Sequence, residues 1–280
     1  MSIPRLFISD VDRTLLTHGH ILPQRVADAF GVARDAGIAL VLATARSPEG
    51  VRPYAERLGL AGLAICFNGG WIGDVSTGVA VSERRIDRAD ALHAMATARD
   101  AGVRPMWFTG SAIYALSSDP IIAREARVTG ERLEIADTLE ELPGEPGKIM
   151  CVAPDPSERA AFAVIRQQLG ERLSVSGSHP RLLEIGPRGV SKKAAVEAVA
   201  GRLGLSARDC AAAGDAENDL GMLAWVGTAV TVGNAVPKAK LLAHFIAPTC
   251  DEGGLADALT WLMRPQEALS TTRRTGGRND

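Results

Sequence analysis

The chain of 280 residues has only four cysteines, Cys66, Cys151, Cys210 and Cys250, spread far apart with no C-x-x-C pair. That spacing argues for neither a disulfide framework nor a zinc site and fits reduced thiols in a cytoplasm. Aromatic residues make up 4% of the chain, and 31 Lys plus Arg stand against 33 Asp plus Glu for a net charge of -2. Neither a broad basic field nor an interleaved aromatic face is available, so nucleic acid is not an expected partner and any anion binding must be local. No stretch approaches the ~18 consecutive apolar residues of a membrane span. The opening Met-Ser-Ile-Pro-Arg begins no apolar leader, so the expectation is a cytoplasmic protein without membrane contact.

What is present is a soluble globular composition, 46% hydrophobic and 23% charged, long enough for one large or two modest domains. Residues 6–16 form its most informative stretch, an apolar run ending in Asp10 and Asp12. Period-2 geometry places those two carboxylates on one side, where like charges return a proton to one of them unless a cation holds both ionised. A hard oxygen-seeking ion such as Mg²⁺ would do so. A solvated loop after a strand is the simpler alternative for this pair alone. His18-Gly19-His20 could by composition be a metal pair, but reads first as a polar turn.

A helix is expected over 23–36, a doubly buried strand over 38–43, a helix to about 58 and a strand over 64–67. Their carboxyl ends would place Asp10, Thr44 and Asn68 along one edge of a parallel sheet, where ligands bind in such folds. From about residue 81 the rhythm changes to paired strands and helices: a helix over 87–101, a hairpin over 104–116, a helix over 120–128, a strand over 148–153, a helix over 156–169 and strands over 173–176 and 182–185. This reads as an α+β insertion with its own small core, and Trp107 and Phe108 read as core before ligand-stacking residues. The stretch 186–189 reads as the return linker and 191–203 as a helix whose first turn carries Lys192 and Lys193. Cations there oppose the helix dipole, so some compensating contact is expected. Cys210-Ala-Ala-Ala then leads into Gly214-Asp215 and on to Asn218 and Asp219, for which helix capping is the plain alternative.

In order along the chain stand Asp10-x-Asp12-x-Thr14, Thr44-x-Arg46, Lys192 and Gly214-Asp215-x-x-Asn218-Asp219. This set resembles the four motifs of the haloacid dehalogenase superfamily of phosphohydrolases. The long insertion between the second and third motifs, with Asn68-Gly69-Gly70 and Gly233-Asn234-Ala235, looks like its Cof-type capped subgroup. The resemblance implies an α/β fold, a doubly wound parallel-sheet (Rossmann-like) core over 1–82 and 187–265, an inserted α+β cap over 83–186 and a disordered tail over 266–280. It implies a Mg²⁺-dependent phosphomonoester hydrolase of small phosphorylated metabolites, sugar phosphates first. The alternatives are a phosphosugar mutase on the same fold and a non-catalytic phosphate-binding regulatory protein.

Carried onto this chain, the resemblance makes Asp10 the nucleophile that forms an aspartyl-phosphate and Asp12 the acid and then base. Asp10, Asp12 through its backbone carbonyl, Asp215 and, more remotely, Asp219 serve the metal. Thr44 and Lys192 hold the phosphoryl oxygens, and Arg46, Asn68, Gly69 and Asn218 complete the substrate contacts. Arg46 could equally bridge core and cap, and Lys193 should be solvated. Trp107, His179 and Arg181 are candidates for contacts beyond the phosphate. The sharpest departure is Arg13, where the family has glycine: its loop is expected to avoid the backbone conformation that glycine tolerates, and its side chain to offer an added phosphate or carboxylate contact. A monomer or a homodimer is compatible with all of this.

Overall fold

The computed structural model describes residues 3–155 and 160–264; the expected tail over 266–280 and the start of the helix expected from 156 lie outside them. Strand β1 (Leu6–Ser9) is buried along its whole length. Its period-2 alternation sends Phe7 to one face, in a cluster with Phe30 and Leu259, and Leu6 and Ile8 to the other, in a cluster with Val196 and Met222. Both faces are therefore covered by helices: α1 (Gln24–Asp35) and α9 (Gly254–Met263) on the first, α6 (Lys192–Arg202) and α7 (Leu220–Trp225) on the second.

The core sheet is parallel and five-stranded. Strand β2 (Ala39–Leu42) lies on one side of β1; on the other lie β12 (Cys210–Ala213), β13 (Thr228–Val232) and β14 (Phe245–Ala247) in that order. The chain leaves β1 toward β2 and returns much later to β12 on the opposite flank, so the order reverses between β1 and β12. A crevice opens at the carboxyl ends of strands at such a reversal. The register aligns Ser9 with Ala213, which brings the residues just past each strand, Asp10 and Asp215, to that crevice. Helix α8 (Pro237–Leu242), for which no expectation had been formed, joins β13 to β14.

The strand expected over 64–67 is β3 (Leu63–Cys66), following α2 (Pro48–Arg57). It joins the core sheet by a single parallel bridge, Ala43 to Ile65, and its main partners are antiparallel: β4 (Trp71–Asp74) and then β5 (Val79–Glu83). The sequence reading lacked β4 and β5, because β5 is exposed throughout and shows no apolar alternation.

A second, six-stranded sheet runs β10-β11-β9-β6-β7-β8: β6 (Arg104–Phe108), β7 (Ile113–Ala115), β8 (Leu133–Ile135), β9 (Lys148–Val152), β10 (Leu173–His179) and β11 (Leu182–Pro187). All neighbours are antiparallel except β7 with β8. Helices α3 (Arg88–Asp100) and α5 (Ala160–Leu169) cover one face, where Trp107, Ile149, Cys151, Leu183 and Ile185 pack as a separate core. Trp107 is wholly buried there and donates from Nε1 to Pro143 O at 3.1 Å, so it fills the core as one of its two readings held. Alternation turns Lys148, Met150, Leu182 and Glu184 to the other face, over the crevice, and α4 (Pro120–Thr129) borders the same space. β11 continues through Gly186 and Pro187, so the stretch read as a linker begins as strand. No helix among the described residues is long and apolar enough to cross a membrane.

Candidate active site

Asp10 leaves β1 with its N–H donating to Ala213 O at 2.9 Å, and its side chain is buried. Oδ1 accepts a short hydrogen bond from Lys192 Nζ, which also donates to Asp219 Oδ1 at 2.7 Å. This pairing is the compensation that a cation in the first turn of α6 required. Ser191 caps that helix by accepting from Ala194 N, leaving the Lys192 side chain to reach into the crevice, where its ammonium is fully buried.

Asp219 is wholly buried, and its Oδ2 accepts the N–H groups of Asp215 and Ala216 at 3.0 and 2.9 Å. Asp219 thus closes the turn, as a capping residue would, and also holds Lys192. A Cβ on Gly214 would stand 2.5 Å from Asp219 Cβ, so glycine is what lets that carboxylate fold back against the turn. Asp215 Oδ1 accepts from Thr14 Oγ1 at 2.9 Å, and Thr231 Oγ1 donates to Gly214 O at 2.6 Å.

Carboxylate oxygens of Asp10, Asp215 and Asp219 lie within 4.8 Å of one another, and all three residues are buried. Burial and the neighbouring charge of Asp219 push the Asp10 carboxyl well up, Lys192 opposing only in part. The same two causes, in the same order, raise Asp215 to about 7. Burial alone would lower Lys192, yet the charges of Asp10 and Asp219 outweigh it and push the ammonium up. Three buried acids sharing one lysine form a site short of positive charge. Hard oxygen donors in that arrangement fit a divalent cation of the Mg²⁺ type.

Asp12 has a different environment. Both its oxygens accept from Arg46, Oδ2 from Nε at 2.9 Å and Oδ1 from Nη2 at 2.7 Å, and His20 Nδ1 lies 3.0 Å from Oδ1. Burial pushes this carboxyl up, but Arg46 and the hydrogen bonds from His20 and Arg46 outweigh it and hold Asp12 well below the usual carboxylate range. Arg46 also donates to Val128 O at 3.4 Å and lies over the Tyr54 ring, 5.2 Å from its centroid. Arg46 therefore does bridge to the insertion, through a backbone carbonyl, but its fork is committed to Asp12. His20 carried no signal of this contact in the sequence, and the two histidines part company: His18 Nδ1 pairs with Asp251 Oδ2 at 2.8 Å, with Cys250 Sγ 3.4 Å away.

Thr44 is buried, and its Oγ1 accepts from Arg46 N at 3.0 Å while its carbonyl accepts from Asn68 N at 2.9 Å. Asn68 takes φ +55° and its Oδ1 accepts from Asn218 Nδ2 at 2.9 Å, so the strand end after β3 is joined to the fourth motif across 150 residues. Gly69, at φ +105°, sits under α6: a Cβ there would be 2.7 Å from Ser191 O. Its position is accounted for by that close packing. Lys193 is exposed and pairs with Glu197 at 2.8 Å.

A cavity of about 200 Å³ opens over Asp10 and Asp12, walled on the far side by Lys148, Met150, His179, Arg181 and Glu184. His179 and Arg181 thus border it as expected of specificity candidates; Trp107 does not. Lys148 and Glu184 form a buried ion pair at 3.0 Å, with the ammonium 4.4 Å from the centroid of the Phe108 ring. Arg13 also lines the cavity, at φ +62°. This overturns the expectation for its loop: the arginine adopts the left-handed conformation rather than avoiding it, because the chain must turn so that Thr14 reaches Asp215 while Arg13 O accepts from Asn234 Nδ2 at 2.9 Å.

Against known proteins, the profile of haloacid dehalogenase-like hydrolases matches residues 7–259. An HMP-PP phosphatase of Citrobacter koseri is 30% identical over 274 residues, 93% of this chain and 97% of its own length. Among solved structures, a haloacid dehalogenase-like hydrolase from Bacteroides thetaiotaomicron superposes with a TM-score of 0.81 at 25% identity, over 92% of this chain and 99% of its own. One from B. subtilis gives 0.82 at 25% identity, over 91% and 99%.

Proposed function

The chain belongs to the haloacid dehalogenase-like hydrolase family and is a phosphatase of that family; from that premise we propose that it hydrolyses phosphomonoesters of small metabolites, sugar phosphates among them, in a Mg²⁺-dependent reaction through an aspartyl-phosphate. The observation that carries this reading is the buried meeting of Asp10, Asp215, Asp219 and Lys192 at the ends of β1 and β12. Residues 1–82 and 187–265 serve as the hydrolase core and 83–186 as the cap. The four buried, unbridged cysteines suit a cytoplasmic protein, and either a monomer or a homodimer is compatible with this reading.

Asp10 and Asp215, with the Asp12 carbonyl, would hold the metal, which supplies charge neutralisation between a carboxylate nucleophile and a phosphate dianion. Asp219 orients this set through the turn and through Lys192. Asp10 Oδ1 is engaged by Lys192, which fixes the carboxylate and leaves its second oxygen to attack phosphorus as the ester oxygen departs. Lys192 and the Thr44 turn then hold the phosphoryl oxygens, and Asn68, Gly69 and Asn218 shape the adjoining wall.

Asp12 must take up a proton before it can give one to the departing alkoxide, and as the carboxylate so regenerated it takes a proton from the incoming water. Arg46 and His20 hold it ionised, the form that accepts the water proton. Arg46→Met should lower kcat by about 10²-fold, in keeping with a misdirected acid–base group. Removing the guanidinium also lets the Asp12 pKa rise, so the acidic limb of the kcat profile should move to higher pH. A pH profile in which the limb stays in place would show that Arg46 does not govern Asp12.

Phosphate release from a panel of sugar phosphates with Mg²⁺, EDTA and restored Mg²⁺ tests the reaction, and silence across the panel would overturn it. A readout independent of activity follows from the raised acids. A carboxyl with a raised folded pKa binds protons more tightly folded than unfolded, so metal-free protein should lose stability as pH climbs from ~4 toward 7. Mg²⁺ competes with those protons, and the rise in Tm that it causes should be about twofold larger or more at pH 7.5 than at pH 5. An equal rise at both pH values would place the cation elsewhere.

A further inference from the structure

The turn accounts for the backbone of Arg13, but not for an arginine standing there. Its φ of +62° is a backbone conformation that glycine adopts without the steric cost an L side chain carries. Its Nε is buried and without a hydrogen-bond partner, and among the described residues its guanidinium makes no ion pair. It also borders the cavity over Asp10. A strained residue whose buried donor has no partner in the protein is a residue awaiting one from outside.

Four other cations around this space are committed. Arg46 is matched by Asp12, Lys148 by Glu184, and Lys192 by Asp10 and Asp219; Arg181 donates to Ala153 O and Pro154 O at 3.0 and 3.1 Å. The carboxylates that feel the charge of Arg13 are Asp215 and Asp251, neither of which is at ion-pair distance from it among the described residues. Its carbonyl is tied to Asn234, whose Oδ1 in turn accepts from Cys250 N at 2.8 Å, so the guanidinium springs from a loop held at both sides. On the cap wall, Arg124 borders the same cavity and, among the described residues, likewise has no acid partner at ion-pair distance.

We infer that Arg13, with Arg124 closing from the cap, forms an anion subsite for a second negatively charged group on the substrate, a carboxylate or another phosphate, distinct from the phosphoryl group transferred at Asp10. This rests on the phosphatase reading and narrows it: the favoured esters carry two anionic groups. A guanidinium donating to a carboxylate or phosphate is a charge-assisted, two-pronged contact, and it satisfies the buried Nε that the protein leaves open.

The test uses matched esters that differ in the second group: glucose 6-phosphate against 6-phosphogluconate, glycerol 3-phosphate against 3-phosphoglycerate, and fructose 6-phosphate against fructose 1,6-bisphosphate. The ratio of kcat/KM within each pair is measured for the wild type, Arg13→Gly and Arg13→Lys. Wild type should favour the dianionic-plus member, and Arg13→Gly should shrink that preference about 10-fold or more through KM, the size expected for one charge-assisted hydrogen bond. Arg13→Lys, which keeps the charge and loses the fork, should fall between. Arg13→Gly also relaxes the turn, so a folding failure is not expected, and Tm checks it. Unchanged ratios in all three pairs would overturn the subsite. Absence of any phosphate release by wild type would overturn the reaction instead, and calorimetric binding of the same pairs to wild type and Arg13→Gly would still decide the subsite. The carboxylate pairs and the bisphosphate pair separately report which anion it takes.

Discussion

Asp10→Asn should give a folded protein that releases phosphate on the order of 10⁴-fold more slowly or worse from every ester tried, p-nitrophenyl phosphate included. The amide keeps the shape of the carboxylate and can still accept from Lys192, so packing at the end of β1 is undisturbed. It lacks the anionic oxygen that must bond to phosphorus. The substitution also removes one of three mutually repelling buried acids, so the metal-free variant should melt no lower than wild type at neutral pH. A variant that melts like wild type and still turns over would remove Asp10 from the chemistry. A variant that binds esters without hydrolysing them would separate catalysis from mere phosphate binding.

Lys192→Met should do the reverse to stability. The methionine fills much of the same volume but leaves Asp10 and Asp219 buried without their shared cation, and breaking a buried pair by removing one partner costs about 3–5 kcal/mol. Part of that cost can be escaped by protonating Asp10, whose pKa is already raised, so the destabilisation measured by urea titration should be smaller at pH 5 than at pH 8. Hydrolysis should be lost at both. The double variant Asp10→Asn/Lys192→Met should recover stability relative to Lys192→Met alone, because one of the stranded charges is gone. Additive losses would mean that the lysine and the aspartate are not coupled, against the geometry seen here.

Much of this protein was legible before any coordinate. Apolar runs at residues 6–8 and 38–43 announce strands, and the polar residues just past them announce the crevice. Strand β1 is covered along its whole length, while β2 is exposed at Ala39 and closes over only at Val41. The separate core of the insertion was readable from its mixed helices and paired strands. Less legible was β5, whose exposed residues carry no pattern, and the antiparallel turn away of β3, which rests on pairing with residues the local sequence does not mark as strand.

The sequence by itself determined the parallel core, the inserted second sheet, the acids at the ends of β1 and β12, and a lysine placed against its own helix dipole. Only the tertiary structure decided how those groups share their charges. Arg46 grips Asp12 from 34 residues away, His20 joins them while His18 turns to Asp251, Asn218 reaches Asn68 across 150 residues, and Arg13 accepts a left-handed turn with its Nε unmet. The reason is physical: local periodicity records which face of a strand or helix is buried, whereas the pairing of buried charges depends on which distant segments the folded sheet brings within 3 Å.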